Sequence, residues 1–303
     1  MNEVMAGEQV DQIINKMNGA QGATNTSAVS GQKDGGREFF CDAKSQSELN
    51  RFVDREKPKL VALVGFADYG KSTFIGSLYQ QLIVNLNYRG YCFVDSDTYV
   101  GFERRIFLRR TNDNNISDTK RNILGENDIL AFNLRSENGK SHQIIISDKA
   151  GETYSKYISS DDEIEKDIVL QNADLVLFFV DAELDGKSLA EHNLIVEKYE
   201  SILTRLKAKG KISEKTAYVV VFTKVDKVST EERKKKLEDR CEKLKQLFKD
   251  SIGAEAAGIY MVNSRDLNND SLNKLFAQIL CPKLPKEAVK EMDWVKMEIE
   301  KNK

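Results

Sequence analysis

The chain has 303 residues, 40% hydrophobic and 31% charged, with a formal net charge of −2, a balance that fits one large α/β domain with extensions or two small domains. There is no basic excess of the kind a nucleic-acid binder carries, and apolar runs such as Leu175 to Val180 are too short for membrane insertion. His142 and His192 are too few for a histidine-rich metal centre, the scattered Cys41, Cys92, Cys241 and Cys281 suit reduced thiols, and the acidic start (Glu3, Glu8, Asp11) lacks the regions of a signal peptide, so a cytoplasmic location is expected.

In chain order, Met17 to Arg37 is rich in Gly, Ser, Asn and Gln and nearly devoid of large apolar side chains. It cannot bury enough surface to offset ordering entropy, so residues 1–57 are read as a flexible N-terminal extension. Within it, Val10 to Ile14 is a weak helix candidate, and Glu38 to Val53 has mixed patterning suited to docking on the main domain. Leu60 to Val64 is a continuous apolar run, as expected of a strand covered on both faces. After a glycine-containing loop, Ile75, Leu78, Leu82, Ile83 and Leu86 recur at helical spacing.

Ile129 to Leu134 and Gln143 to Ile146 read as two strands joined by a hairpin at Asn138-Gly139. Apolar runs follow at Leu175 to Val180, Ala217 to Phe222 and Ile259 to Val262, separated by helical patterns over Ser188 to Leu206 and Glu231 to Leu247, with a third over Leu272 to Leu280. The expected fold is a three-layer α/β domain over residues 58–284, with six strands, mostly parallel, and one antiparallel strand. Residues 285–303 read as a helical tail, with Val289, Met292, Val295 and Ile299 on one face, packing on the domain or against a partner. The run Arg233-Lys234-Lys235-Lys236 is interleaved with acidic residues and reads as a solvated helix face.

Gly65-Phe66-Ala67-Asp68-Tyr69-Gly70-Lys71-Ser72 fits GxxxxGK[ST]. A triphosphate needs several backbone N–H donors aimed at it; Gly65 and Gly70 permit the tight curl, and the next helix presents its N-terminus. Lys71 is expected at the β and γ oxygens and the Ser72 hydroxyl at a magnesium ion, with Asp68, Tyr69 and Thr73 completing the cradle. Strand before and helix after supply the context this motif requires.

Asp148-Lys149-Ala150-Gly151 ends a strand with Asp-x-x-Gly, which suits Asp148 to reach magnesium and the Gly151 N–H to meet the γ-phosphate. Thr223-Lys224-Val225-Asp226 follows another buried run. A carboxylate at Asp226 matches the paired N1 and N2 donors of guanine, which adenine lacks, and the Lys224 stem is expected to cover the base. At the last strand, Ser264 and its neighbours in Asn263-Ser264-Arg265 are placed to offer N–H to the guanine O6.

With these four ordered motifs the sequence resembles the Ras-like, TRAFAC-class GTPases over Lys59 to Leu284. The resemblance implies GTP/GDP and Mg2+ as cofactors, hydrolysis of GTP, and a protein effector or GTPase-activating partner. Asn87 to Asp128 is then an extended switch I insert, and its stretch Phe93 to Arg105 is similar to the prokaryotic double-GTPase group linked to conflict systems. The family's switch threonine falls best on Thr119, with Thr98 and Thr111 as rivals, and Arg104, Arg105, Arg109 and Arg110 are candidates for a γ-phosphate contact from within the chain or for a charged helix face. Glu152 stands where small GTPases carry a water-positioning glutamine, which implies slow or partner-dependent turnover. Two other readings remain: a nucleotide-binding scaffold that hydrolyses little, and a P-loop ATPase or nucleotide kinase, against which Thr223 to Asp226 argues.

Overall fold

The computed structural model describes residues 41–51, 58–110, 128–212, 215–252 and 258–281. Most of the N-terminal extension and the C-terminal tail of the sequence reading lie outside these residues, as do Thr111 and Thr119.

Seven strands form one sheet: β1 (Lys59–Val64), β2 (Tyr91–Asp95), β3 (Ile129–Ser136), β4 (Ser141–Ser147), β5 (Leu175–Asp181), β6 (Ala217–Thr223) and β7 (Gly258–Met261). Their spatial order is β2-β3-β4-β1-β5-β6-β7. β1 runs parallel to β4 and β5, and β5, β6 and β7 continue in parallel, whereas β3 is antiparallel to both of its neighbours. Every residue of β5 is buried, so both faces of the sheet are covered there, which is why the central strands read as unbroken apolar runs. The expected hairpin joins β3 to β4, with Gly139 at φ 79° and Ser136 N donating to Lys140 O at 2.9 Å.

The helices of eleven residues or more are α1 (Lys71–Val84), α2 (Tyr99–Arg110), α7 (Leu189–Ala208), α8 (Glu231–Ile252) and α9 (Asp270–Leu280). Short ones intervene: α3 (Gly151–Tyr157), α4 (Asp161–Glu165), α5 (Ile168–Asn172) and α6 (Ala182–Lys187). Phe74 at the root of α1 packs on Phe179 of β5 at 5.2 Å and on Phe276 of α9 at 5.1 Å between ring centroids. Lys59 at the foot of β1 is buried, and its ammonium donates to the Gln278 and Cys281 carbonyls, both at 2.6 Å, neutralising the C-terminal end of α9.

Two elements correct the sequence reading. The sheet has seven strands rather than six, and the additional edge strand β2 comes from the insert taken for switch I. α2 comes from the same insert. Its Phe102 stacks on Tyr79 of α1 (centroids 4.8 Å apart, 11° between planes) and meets Phe132 of β3 edge-on. α1 and α2 cross so closely that a Cβ at Gly76 would sit 2.5 Å from Ile106 Cγ2. Residues 87–110 are therefore part of the packed domain, because their buried aromatic and aliphatic side chains have matching partners on α1 and β3.

This crossing makes Gly76 and Ile106 an energetically coupled pair. Gly76→Ala and Ile106→Ala are each expected to destabilise the fold, and the double variant to be less destabilised than the sum by at least about 1 kcal/mol, as read from urea unfolding of all four proteins. Strict additivity would show that α2 does not seat on Gly76.

Candidate nucleotide-binding site

The loop between β1 and α1 is shaped by backbone that ordinary residues avoid. Gly70 caps α1 at φ 82° and Asp68 sits at φ 62°. A Cβ at Gly65 would stand 2.9 Å from Phe179 Cβ, so β5 demands a bare residue there. The first turn of α1 has neither a side-chain cap nor an acidic residue of its own, which leaves its backbone N–H groups facing the loop.

Lys71 is only 7% exposed. Its ammonium donates to the loop carbonyls of Gly65 (2.6 Å) and Phe66 (3.1 Å) and lies 5.6 Å from the centroid of the Tyr154 ring. Burial lowers its pKa to about 8, against the opposing pull of Asp148, Glu152 and Asp68. Tyr154, on α3, is fully buried and donates its hydroxyl to Leu63 O of β1.

Asp148, directly after β4, has no solvent exposure. It accepts from Ser72 Oγ at 3.1 Å (Oδ2) and 3.4 Å (Oδ1), which brings the first two motifs together. Its Oδ2 also accepts from Arg105 Nε at 2.7 Å. Arg105 thus reaches the carboxylate, while Arg104 turns outward to Asp42; the side chains of Arg109 and Arg110 lie outside the described residues. The rival Thr98 is buried, with its hydroxyl donating to Ala131 O at 3.1 Å and accepting from Ala131 N at 2.8 Å, which fixes it on β3.

The loop after Asp148 is pressed onto the phosphate loop: a Cβ at Gly151 would fall 2.1 Å from Ala67 N and 2.3 Å from Phe66 C, so only glycine fits. Lys149 is held by Asp167 at 3.2 Å and by the Tyr157 hydroxyl at 3.2 Å, and the same Asp167 caps α5 through Leu170 N at 3.0 Å. Glu152 lies exposed in the first turn of α3. Asp128, whose carbonyl accepts from Asp148 N, has its carboxyl pushed up to about 6 by burial, with Lys149 opposing and Asp167 and Asp148 adding to the rise.

The base-side motif is wired to the phosphate loop. Thr223 Oγ1 donates to Tyr69 O at 2.9 Å, and a Cβ at Gly70 would lie 3.4 Å from the Thr223 side chain. Lys224 adopts the left-handed conformation at φ 57°, and its ammonium pairs with Asp181 Oδ2 at 2.6 Å. Asp181 in turn caps α6 through Glu183 N (2.9 Å) and Leu184 N (3.3 Å). Asp226 is exposed in the 3₁₀ turn Val225–Lys227. Ser264 is 7% exposed; its carbonyl accepts from Ser77 Oγ on α1, while its own hydroxyl has no hydrogen-bond partner among the described residues.

The sequence-predicted Lys71, Ser72, Asp148 and Gly151 are therefore clustered, and Tyr69, Gly70, Thr223 and Lys224 form a second, connected group. Asp68 and Thr73 sit on the same loop and helix turn. Asp181 and Tyr154 were missed, and Arg105, named as a candidate for a γ-phosphate contact, was not paired with Asp148. Asp181 carried the signal that exposed Asp148, an aspartate directly ending an apolar strand.

A strand, a glycine loop ending in Lys-Ser and a helix, ringed by Asp-x-x-Gly and Thr-Lys-x-Asp at neighbouring strand ends, defines a P-loop GTPase fold. The model of the Double-GTPase 2 family matches residues 59–279, and the chain belongs to that family. Among solved structures it is similar to translation elongation factor SelB of Methanococcus maripaludis bound to the GTP analogue GppNHp. Identity is 16% and the TM-score 0.35, over 75% of this chain and 35% of that longer one. It is also similar to the signal recognition particle receptor SRb-GTP/SRX complex of Chaetomium thermophilum, at 12% identity and TM-score 0.41, over 74% of this chain and 98% of that one. No curated protein matches the chain in sequence.

Burial of Lys71 has a measurable pH signature. Its folded pKa of about 8 lies below the 10.5 of an ordinary lysine, so between these values the unfolded chain holds more protons. Its burial then costs stability below pH 8, and that cost is relieved as pH rises to 10.5. The stability of Lys71→Met relative to the unsubstituted protein is expected to fall by about 2 kcal/mol between neutral pH and pH 10, measured by urea unfolding. A difference independent of pH would show that Lys71 titrates normally.

Proposed function

We propose that this protein binds GTP with Mg2+ and hydrolyses it to GDP and phosphate as a regulatory switch, in the prokaryotic conflict-system setting to which its double-GTPase resemblance points. What carries this reading is the meeting of Lys71, Ser72 and Asp148 at one strand edge, with the Thr223 hydroxyl tying the base-side motif to the same loop.

In this reading Lys71 turns its ammonium from the Gly65 and Phe66 carbonyls to the β and γ oxygens. The uncapped first turn of α1 and the N–H of Gly151 add neutral donors around the phosphates. Ser72 Oγ and Asp148 are hard oxygen donors 3.1 Å apart, the ligand type that Mg2+ takes. The metal would supply charge neutralisation at the β and γ oxygens. Asp226 takes the guanine N1–H and N2–H, Lys224 covers the base with its stem, and Ser264 and its neighbours meet O6. Glu152, facing solvent in the first turn of α3, orients the attacking water. Thr119 is the threonine that closes over metal and γ-phosphate. Since residues 87–110 are packed into the domain, the response to nucleotide is assigned to the loop after Gly151.

Calorimetry in Mg2+ with GDP, a non-hydrolysable GTP analogue and their adenine counterparts tests the reading. Guanine-only binding is expected, and Asp226→Ala is expected to weaken it by about a hundredfold, because it removes the acceptor of two hydrogen bonds from the base. Equal adenine binding would sink the guanine assignment in favour of an ATPase. Glu152→Ala is expected to slow single-turnover hydrolysis at least about tenfold with affinity nearly unchanged. If turnover is negligible already in the unsubstituted protein while binding is tight, a scaffold replaces the hydrolase.

A further inference from the structure

Asp148 serves two masters. The carboxylate has no solvent exposure, and its Oδ2 accepts both from Ser72 Oγ at 3.1 Å and from Arg105 Nε at 2.7 Å. Arg105 is itself only 5% exposed. Its Nη1 donates to Gly101 O at 2.9 Å, one turn back on α2, which steers the guanidinium toward the carboxylate. This is a desolvated ion pair in which each charge needs the other, because a lone buried charge of either sign is costly.

The helix that delivers Arg105 is held by shape. Ile106, the next residue, fills the space left by Gly76, and Phe102, one turn earlier, stacks on Tyr79. α2 ends where the residues carrying Thr119 begin. The position of the guanidinium and the position of α2 are therefore linked through tight packing.

A hard divalent cation held by Ser72 and Asp148 would sit on the same carboxylate that already accepts from Arg105. Two cations on one buried carboxylate repel strongly in a medium of low dielectric constant. We infer that Arg105 is a built-in counter-ion that competes with the divalent metal for Asp148, so that metal loading expels the guanidinium and α2 reports the exchange. This rests on the magnesium-dependent reading proposed above. It has two consequences: Arg105 sets the metal affinity of the site, and it keeps Asp148 neutralised whenever metal is absent.

The experiment uses the full chain, a fluorescent N-methylanthraniloyl-GDP and EDTA-buffered Mg2+, and reads the free Mg2+ concentration at which nucleotide dissociation is half slowed. Arg105→Gln is expected to lower that midpoint about tenfold or more, with Arg105→Lys in between. An unchanged midpoint, or one raised by loss of Arg105, overturns the competition. A second measurement needs no substitution: hydrogen exchange of the α2 amides in the unsubstituted protein, with one nucleotide, in Mg2+ and in EDTA. Faster exchange around residues 102–106 in Mg2+ is expected, and equal protection overturns the inference even if Arg105→Gln does not fold. Guanine-nucleotide binding that depends on Mg2+ but ignores Arg105 defeats this inference alone, whereas absence of guanine-nucleotide binding in the unsubstituted protein defeats the functional reading and this inference with it.

Discussion

A carboxylate removed from water must be neutralised where it stands, and Asp148 is the point at which this fold meets that demand. It sits directly after β4, one strand from β1, so the two segments it touches are fixed by the sheet: α1, which leaves the loop after β1, and α2, which crosses α1 at Gly76. The order β3-β4-β1 is thus more than topology. It brings an aspartate, a serine and an arginine from three different elements within hydrogen-bond reach, and the parallel register of β1 and β4 sets their height along the sheet edge.

The other half of the edge is organised in the same way by Asp181, after β5. It caps α6 with one oxygen and holds the Lys224 ammonium with the other. Lys224, locked in left-handed backbone, then has its stem laid beside the strand ends rather than free in solvent. The two halves meet at the phosphate loop, where the Tyr69 carbonyl receives the Thr223 hydroxyl and Gly70 lies against the same side chain. A shift of the loop about Gly70 is consequently felt at Thr223, and through it at the turn that bears Asp226.

How much of this was legible in the sequence follows from burial and locality. The strands beside and beyond β1 declared themselves because two covered faces leave no room for polar alternation, as in Leu175 to Val180. β2 did not, because an edge strand of five residues, half-exposed along its length and bent by an irregularity between Phe93 and Asp95, carries a weak pattern. The packed face of α2 was obscured by its own charge: Glu103, Arg104, Arg105, Arg109 and Arg110 flank the buried apolar Phe102 and Ile106 in the sequence, so the stretch reads as a charged helix face. The phosphate loop and the Thr-Lys-x-Asp turn were legible because their chemistry is local, with donors, glycines and carboxylate contiguous in the chain. The partner of Arg105 was not, since it lies 43 positions away and only the crossing of α1 and α2 brings the two together.

The same electrostatics bear on what this site can bind. In the fold as it stands, the buried cations Lys71 and Arg105 are satisfied internally, one by loop carbonyls and the other by Asp148. Asp148, Glu152 and Asp68 all act on Lys71, so the phosphate side of the site carries acidic charge as well as basic. A polyphosphate entering there meets cations that must first leave their present partners, and each departure exposes an oxygen that needs a new donor or a metal. The fully buried Asp148 is the most demanding of these oxygens, because water cannot reach it without movement of α1, α2 or the loop around Gly151. On the proposed reading, exchange of ions at this one carboxylate is the step that would let a ligand bound at the sheet edge displace packed helices.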